Sequence, residues 1–210
     1  MLSKLFHSYT KRKILLILIV IFSCINIALL TILSARFWAR IPVEIEWLKQ
    51  GYYNPETFST PELIEESVLE NSTTYQLRYV FLGMFIVLQT SFSICILISV
   101  ISLYLLFSNK SNAEFLFNSL ISLFGFIFAV TFFLIALKPV EAKRTAIFEL
   151  NGTESYYKDM LASISYTEGW IVLFSSFFSL VISVIAKKSY GYVTNDFILK
   201  KAFREDILKS

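Results

Sequence analysis

Four unbroken apolar blocks limit this 210-residue chain to very few architectures. A hydrocarbon core about 30 Å thick needs about 20 apolar residues in a helix to cross it. The first block, residues 14–35, reads ILLILIVIFSCINIALLTILSA and carries no charge. The second runs over 79–107, longer than a perpendicular crossing requires, so tilt or overhang is expected. The third covers 115–137 and the fourth 169–186, with Trp170 as an interfacial anchor at its start. Charged residues make up only 17% of the chain and hydrophobic ones 56%, a balance that excludes an ordinary soluble domain. The fold class that follows is an all-α membrane protein built as a four-transmembrane-helix bundle. The first block could also serve as a cleaved signal peptide. Its 22 apolar residues exceed the roughly 7–15 of a signal core, so it is read as a retained helix.

Four crossings put both termini on one side. Residues 1–13, the turn 108–114 and the tail 187–210 together hold eleven basic and four acidic residues, a net of +7. The long connections 36–78 and 138–168 hold eight basic and twelve acidic residues, a net of −4. Basic residues that abut a span stay in the cytoplasm. Lys11, Arg12, Lys13, Lys187 and Lys188 all do so, which assigns both termini to the cytoplasm and both long connections to the outside. Two glycosylation acceptor patterns, Asn71-Ser72-Thr73 and Asn151-Gly152-Thr153, fall in those outside loops and agree. A third, at Asn109, falls in the inside turn, where no glycan is expected.

Within a bilayer, helices associate through close backbone approach and occasional polar contacts. Small residues at helical spacing give candidate packing ridges: Cys24, Ala28, Thr31 and Ala35; Ser91, Cys95, Ser99 and Ser102; Ser122, Gly125 and Ala129; Ser175, Ser179 and Ser183. Asn26 and Gln89 are the most polar side chains deep in the spans, and a hydrogen bond between them is expected. In the first loop, Ile41-Pro42-Val43-Glu44-Ile45-Glu46-Trp47 alternates like a half-buried strand, and residues 61–70 carry helix-start signals. In the tail, Lys200, Lys201 and Arg204 lie beside Phe197, Ile198 and Phe203. That pattern suits a basic amphipathic segment on an anionic membrane surface, or a disordered tail.

Site chemistry is sparse. The single histidine, His7, has no cysteine or acid beside it, and both cysteines fall inside spans. No Gly-rich phosphate loop, nucleophile elbow or zinc-protease motif occurs. Span interiors contain no ionisable residue, which disfavours a transport path or proton relay. A protein without catalysis or cofactor is expected, with the lipid bilayer and other membrane proteins as partners and no nucleic acid.

The layout resembles the claudin, peripheral-myelin-protein and calcium-channel gamma subunit superfamily. Thr74-Tyr75-Gln76-Leu77-Arg78 is similar to the claudin segment that enters the second span. Tyr166-Thr167-Glu168-Gly169-Trp170 resembles the Gly-Trp opening of the fourth, and Trp38 and Trp47 sit where loop-one tryptophans are found. The family's loop-one Gly-Leu-Trp motif and cysteine pair are missing from this sequence. The resemblance implies a left-handed four-helix bundle capped by a small extracellular β-sheet from the first loop. It also implies a plasma-membrane role: an auxiliary subunit of a channel or receptor, working with such subunits or with copies of itself, or else a structural component of cell adhesion or junctions.

Overall fold

The computed structural model describes residues 9–52, 68–70, 72–107, 114–139, 142–150, 154–162 and 165–207, with side chains placed over 12–46, 68–70, 72–107, 115–139 and 165–187. In chain order the elements are α1 (Tyr9–Tyr52), α2 (Thr73–Gln76), α3 (Arg78–Phe107), α4 (Glu114–Ala136), β1 (Ala142–Leu150), β2 (Glu154–Ala162) and α5 (Thr167–Ile207). Four of them contain segments long and apolar enough to cross a bilayer: Arg12–Glu46, Arg78–Phe107, Phe115–Ala136 and Thr167–Lys187. The protein is a multi-pass membrane protein. α1 packs on α3 and α5, and α4 packs on the same two helices, so the four close into an up-down-up-down ring.

The inward positions of α1 are Arg12, Leu16, Ile19, Ser23, Asn26, Leu30, Leu33, Phe37, Arg40 and Glu44, all buried. Their spacing alternates between three and four residues, the period of a left-handed bundle. In α4 the same alternation holds for Phe117, Leu120, Phe124, Ile127, Thr131 and Leu134. Exposed positions between them are large and apolar, among them Ile14, Ile17, Ile21, Leu97, Phe132 and Phe178. Lipid tails satisfy such side chains, so their exposure is the ordinary outer face of a membrane bundle.

Three contacts set the antiparallel register of α1 against α3. Phe37 stacks on Phe81 with centroids 4.4 Å apart, Gln89 Nε2 donates to Thr31 Oγ1 at 3.2 Å, and the Lys13 ammonium lies 3.7 Å from the Phe107 ring centroid. The register of α4 against α5 follows from Phe128 and Phe177, with ring centroids 5.9 Å apart. Gly169 marks the closest approach. A methyl group there would stand 3.4 Å from Ile135 Cγ1 and 3.5 Å from Leu33 Cδ2, so α5 meets α1 and α4 together at this residue.

Four expectations are corrected. The strand over 41–47 is helix, because α1 continues to Tyr52 with Pro42 inside it. The alternation of Ile41, Val43 and Ile45 with glutamates was misleading; Phe37, Arg40 and Glu44 extend the inward spacing of three and four. Pro42 cannot donate to the Trp38 carbonyl, but it faces outward and its neighbours Arg40 and Glu44 are both anchored. The sheet that exists is an antiparallel hairpin in the second loop, running from Ala142↔Ala162 to Leu150↔Glu154. The small-residue ridges hold only in part. Ser91, Cys95, Ser99, Ser102, Ser179 and Ser183 are buried, whereas Cys24, Ala28, Thr31, Ala35, Ser122 and Ala129 face outward and Gly125 and Ser175 are half-buried. Small residues on α3 and α5 leave room for the phenyl rings of α4; on α1 and α4 the inward places are taken by bulkier side chains. Finally, α5 runs unbroken from the span to Ile207. Lys200, Lys201 and Arg204 therefore stand about 20 Å or more beyond Lys187 along the helix axis, on the span's own continuation instead of a separate surface helix.

The two glycines separate close packing from open space. Gly169→Leu is expected to destabilise the bundle by about 1–3 kcal/mol through overpacking. Gly125→Ala, with nothing within 4 Å of the added methyl, should be neutral or stabilising by up to about 1 kcal/mol. Thermal unfolding in detergent, read by tryptophan fluorescence, checks both.

Candidate functional site at the loop end of the bundle

Where α1 leaves the bundle and α3 enters it, buried polar groups gather. Among the described residues only three charged side chains are buried: Arg12, Arg40 and Glu44. Arg40 and Glu44 are one helical turn apart on the inward face of α1, with Arg40 Nε 3.2 Å from Glu44 Oε2 and both side chains at most 4% exposed. Such a pair must find further partners to offset its desolvation. The chain segment before α3 provides them. Ser72 Oγ donates to Glu44 Oε1 at 3.2 Å, the Thr74 backbone N–H approaches the same oxygen at 3.4 Å, and the Thr74 hydroxyl donates to Oε2. Ser72 serves twice, since its Oγ also accepts from Tyr75 N at 3.2 Å as the N-cap of α2. One carboxylate thus ties α1 to the entry of α3.

A second tie reaches α5. Arg36 pairs with Glu168 in the first turn of α5, where a carboxylate also suits the helix dipole. Tyr166, one residue before α5, is buried, and that burial pushes its phenol above the ordinary tyrosine range while the nearby Arg40 guanidinium pulls the other way. Arg78, at the start of α3, stacks on Tyr75 at 3.4 Å and on Tyr79 at 4.4 Å and donates to the Tyr75 carbonyl. In the arrangement as a whole, two ion pairs and the Ser72 and Thr74 contacts fasten three helix ends, while the Tyr166 hydroxyl and Glu168 Oε2 have no hydrogen-bond partner among the described residues. It is a clasp. Among the described residues no three His, Cys, Asp or Glu side chains come together as a metal site would require.

Several expected residues stand elsewhere. The Asn26–Gln89 hydrogen bond does not form: Gln89 lies level with Thr31 and donates to it, about 7 Å along the α1 axis from Asn26. The two side chains differ in level because Gln89 is held opposite Thr31, by the same register that pairs Phe37 with Phe81. Asn26 faces the bundle interior, fully buried. Arg12, expected at a membrane surface, is also turned inward and 2% exposed. Lys13 lies over Phe107 and Lys187 is half-buried. Asn71, Asn109, Asn151 and residues 61–67 lie outside the described residues, as do the side chains of Lys11, Lys188, Lys200, Lys201 and Arg204. Sequence reasoning missed the clasp itself. Its signal was the inward spacing of α1 continuing past Ala35 into Phe37, Arg40 and Glu44.

Comparison with known proteins found no matching family model, no similar curated protein and no similar solved structure.

Removing the carboxylate should expose what the clasp contributes. Glu44→Ala leaves Arg40 and two hydroxyls buried without it and is expected to cost about 3–5 kcal/mol. The double variant Arg40→Met/Glu44→Leu should recover part of that loss. Arg36→Ala, whose side chain is 51% exposed, should cost under about 1 kcal/mol. Chemical denaturation in detergent micelles ranks the three.

Proposed function

We propose that this protein is an auxiliary subunit, without catalysis of its own, that packs against a larger channel or receptor in the plasma membrane and alters its assembly or gating. One observation carries this reading: Cys24, Ala28 and Ala35 form a line of small side chains on the outward face of α1. Isoleucines 14, 17, 21, 25 and 32 cover the rest of that face. A membrane helix lined by small residues admits close backbone approach by another helix. Of this line only Thr31, between Ala28 and Ala35, is engaged by another helix of the bundle, through Gln89 of α3; Cys24, Ala28 and Ala35 are exposed.

Two further features support the same reading. α1 has 44 residues and α5 has 41, each about 60 Å long, roughly twice the hydrocarbon thickness. Each extends past its span at a different end, giving one rigid arm per side for contact with aqueous parts of a partner. In this proposal both termini are cytoplasmic, as the basic residues flanking the spans favour. The clasp and hairpin then lie outside, and Asn71 and Asn151 are available for glycans. An adhesive or junctional role is the alternative; the sheet it borrows from the claudin resemblance meets helix at 41–47.

Ala28→Leu fills the outward line without touching the bundle interior. Co-isolation of a channel or receptor in mild detergent should be lost in this variant, with the thermal midpoint unchanged. Retained co-isolation would remove the ridge as the contact. Homotypic clustering at cell contacts, unaffected by the variant, would favour adhesion instead. Glycosidase sensitivity of the intact protein tests the orientation.

A further inference from the structure

The polar groups of the bundle interior at mid-membrane remain to be accounted for. Asn26 is fully buried, and neither its amide nitrogen nor its carbonyl oxygen has a hydrogen-bond partner among the described residues. Ser23 Oγ, one turn away on the same inward face, Ser175 Oγ on α5 and Ser99 Oγ on α3 also lack a partner among these residues. The placement of Asn26, Ser23 and Ser175 is not scattered. Glu168 bonds Arg36, so that line of α5 faces α1. Ser175 lies two turns further along it, at the level of α1 residues 27–29 by antiparallel register. Ser179, fully buried and donating to the Ser175 carbonyl at 2.9 Å, lies one turn beyond, at the level of Ser23. By this register Asn26, Ser23, Ser175 and Ser179 share one level of the packed α1–α5 pair, near the centre of the span.

Lipid offers these groups no hydrogen bond. An occupant must both donate and accept, because the carboxamide presents two N–H groups and a carbonyl and each hydroxyl does both. No ionisable side chain lies at this depth in any of the four spans, so nothing balances an ion's charge. A buried water needs a polar setting and two to four partners, and the seam supplies them. We propose that the α1–α5 seam is a water-binding site within the membrane, held by Asn26 with Ser23 and Ser175 and bordered by Ser179. Water bridging the amide to α5 also pins the axial position of α1, since a slip of one turn would carry Asn26 away from Ser175.

The test uses the full chain in nanodiscs of deuterated lipid, labelled with nitrogen-15 asparagine. The Asn26 side-chain resonance is identified by its loss in Asn26→Leu. Should that variant not fold, stepwise replacement of the other asparagines identifies it. A cross-peak between the Asn26 NH₂ group and water is expected, and its loss is expected in Ser23→Ala/Ser175→Ala. A folded protein whose Asn26 amide shows no water cross-peak would overturn the site, because the amide would then be bonded directly to a serine. A cross-peak that survives the double serine variant would overturn the assignment of the seam.

Discussion

One inward line of side chains, spaced alternately by three and four residues, runs along α1 from Arg12 to Glu44, and the rest of the structure is arranged around it. Its period keeps the same face of the helix toward α3 and α5 for about nine turns. No other element meets as many conditions. It crosses the hydrocarbon core, passes a proline, and ends in a buried ion pair without changing face. Because lipid gives apolar side chains no reason to prefer a protein neighbour, this constancy has to come from packing and polar contacts. The line supplies both, in different places.

Its chemistry changes with depth. Leu30, Leu33 and Phe37 pack against Phe81, Phe85 and Leu88 in one half of the bundle, where stacked rings add about 0.5–1.5 kcal/mol per pair. Ser23 and Asn26 occupy the middle, opposite serines of α5. Arg40 and Glu44 come last, where the chain before α3 can bring hydroxyls and a backbone N–H to the carboxylate. Charge sits where partners can be assembled, and only neutral polar groups sit deeper. Desolvation explains this order: a neutral amide or hydroxyl costs much less to take from water than a carboxylate does.

Much of this was legible before any coordinates. The four spans follow from block length alone, and the observed helices contain them except for Leu137, which lies just past the end of α4. The clasp was not legible, since its parts come from three segments separated by up to 132 residues, and only the i, i+4 spacing of Arg40 and Glu44 was local. Small residues were an ambiguous guide. Ser91, Cys95 and Ser99 face inward on α3, whose Phe92 meets Phe124 of α4. Cys24 and Ala28 have the same size and spacing, yet Leu16, Ile19 and Leu30 already claim the inward face. Size says that a residue could sit at an interface; only the competing bulky residues decide which interface. The second-loop hairpin spans a glycosylation acceptor pattern with a second meaning. Asn151-Gly152 is also a turn signal, flanked by Thr145, Ile147 and Phe148 on one strand and Tyr156 and Tyr157 on the other.

α1 therefore carries two faces with separate duties. The inward face holds the heptad line, the clasp and the polar seam, all of which stabilise the bundle. The outward face holds small residues and isoleucines, of which Thr31 alone bonds another helix of the bundle. Were the small residues inward, as on α3 and α5, changing them would collapse or swell the core, and binding could not vary without cost to folding. On α1 the two are uncoupled. A partner helix can seat against Cys24, Ala28 and Ala35 without disturbing Arg36–Glu168, the Gly169 approach or Asn26, because those contacts lie around the helix on the side facing α5. That separation is what the proposed auxiliary role requires, since a partner could then bind while the fold stays intact.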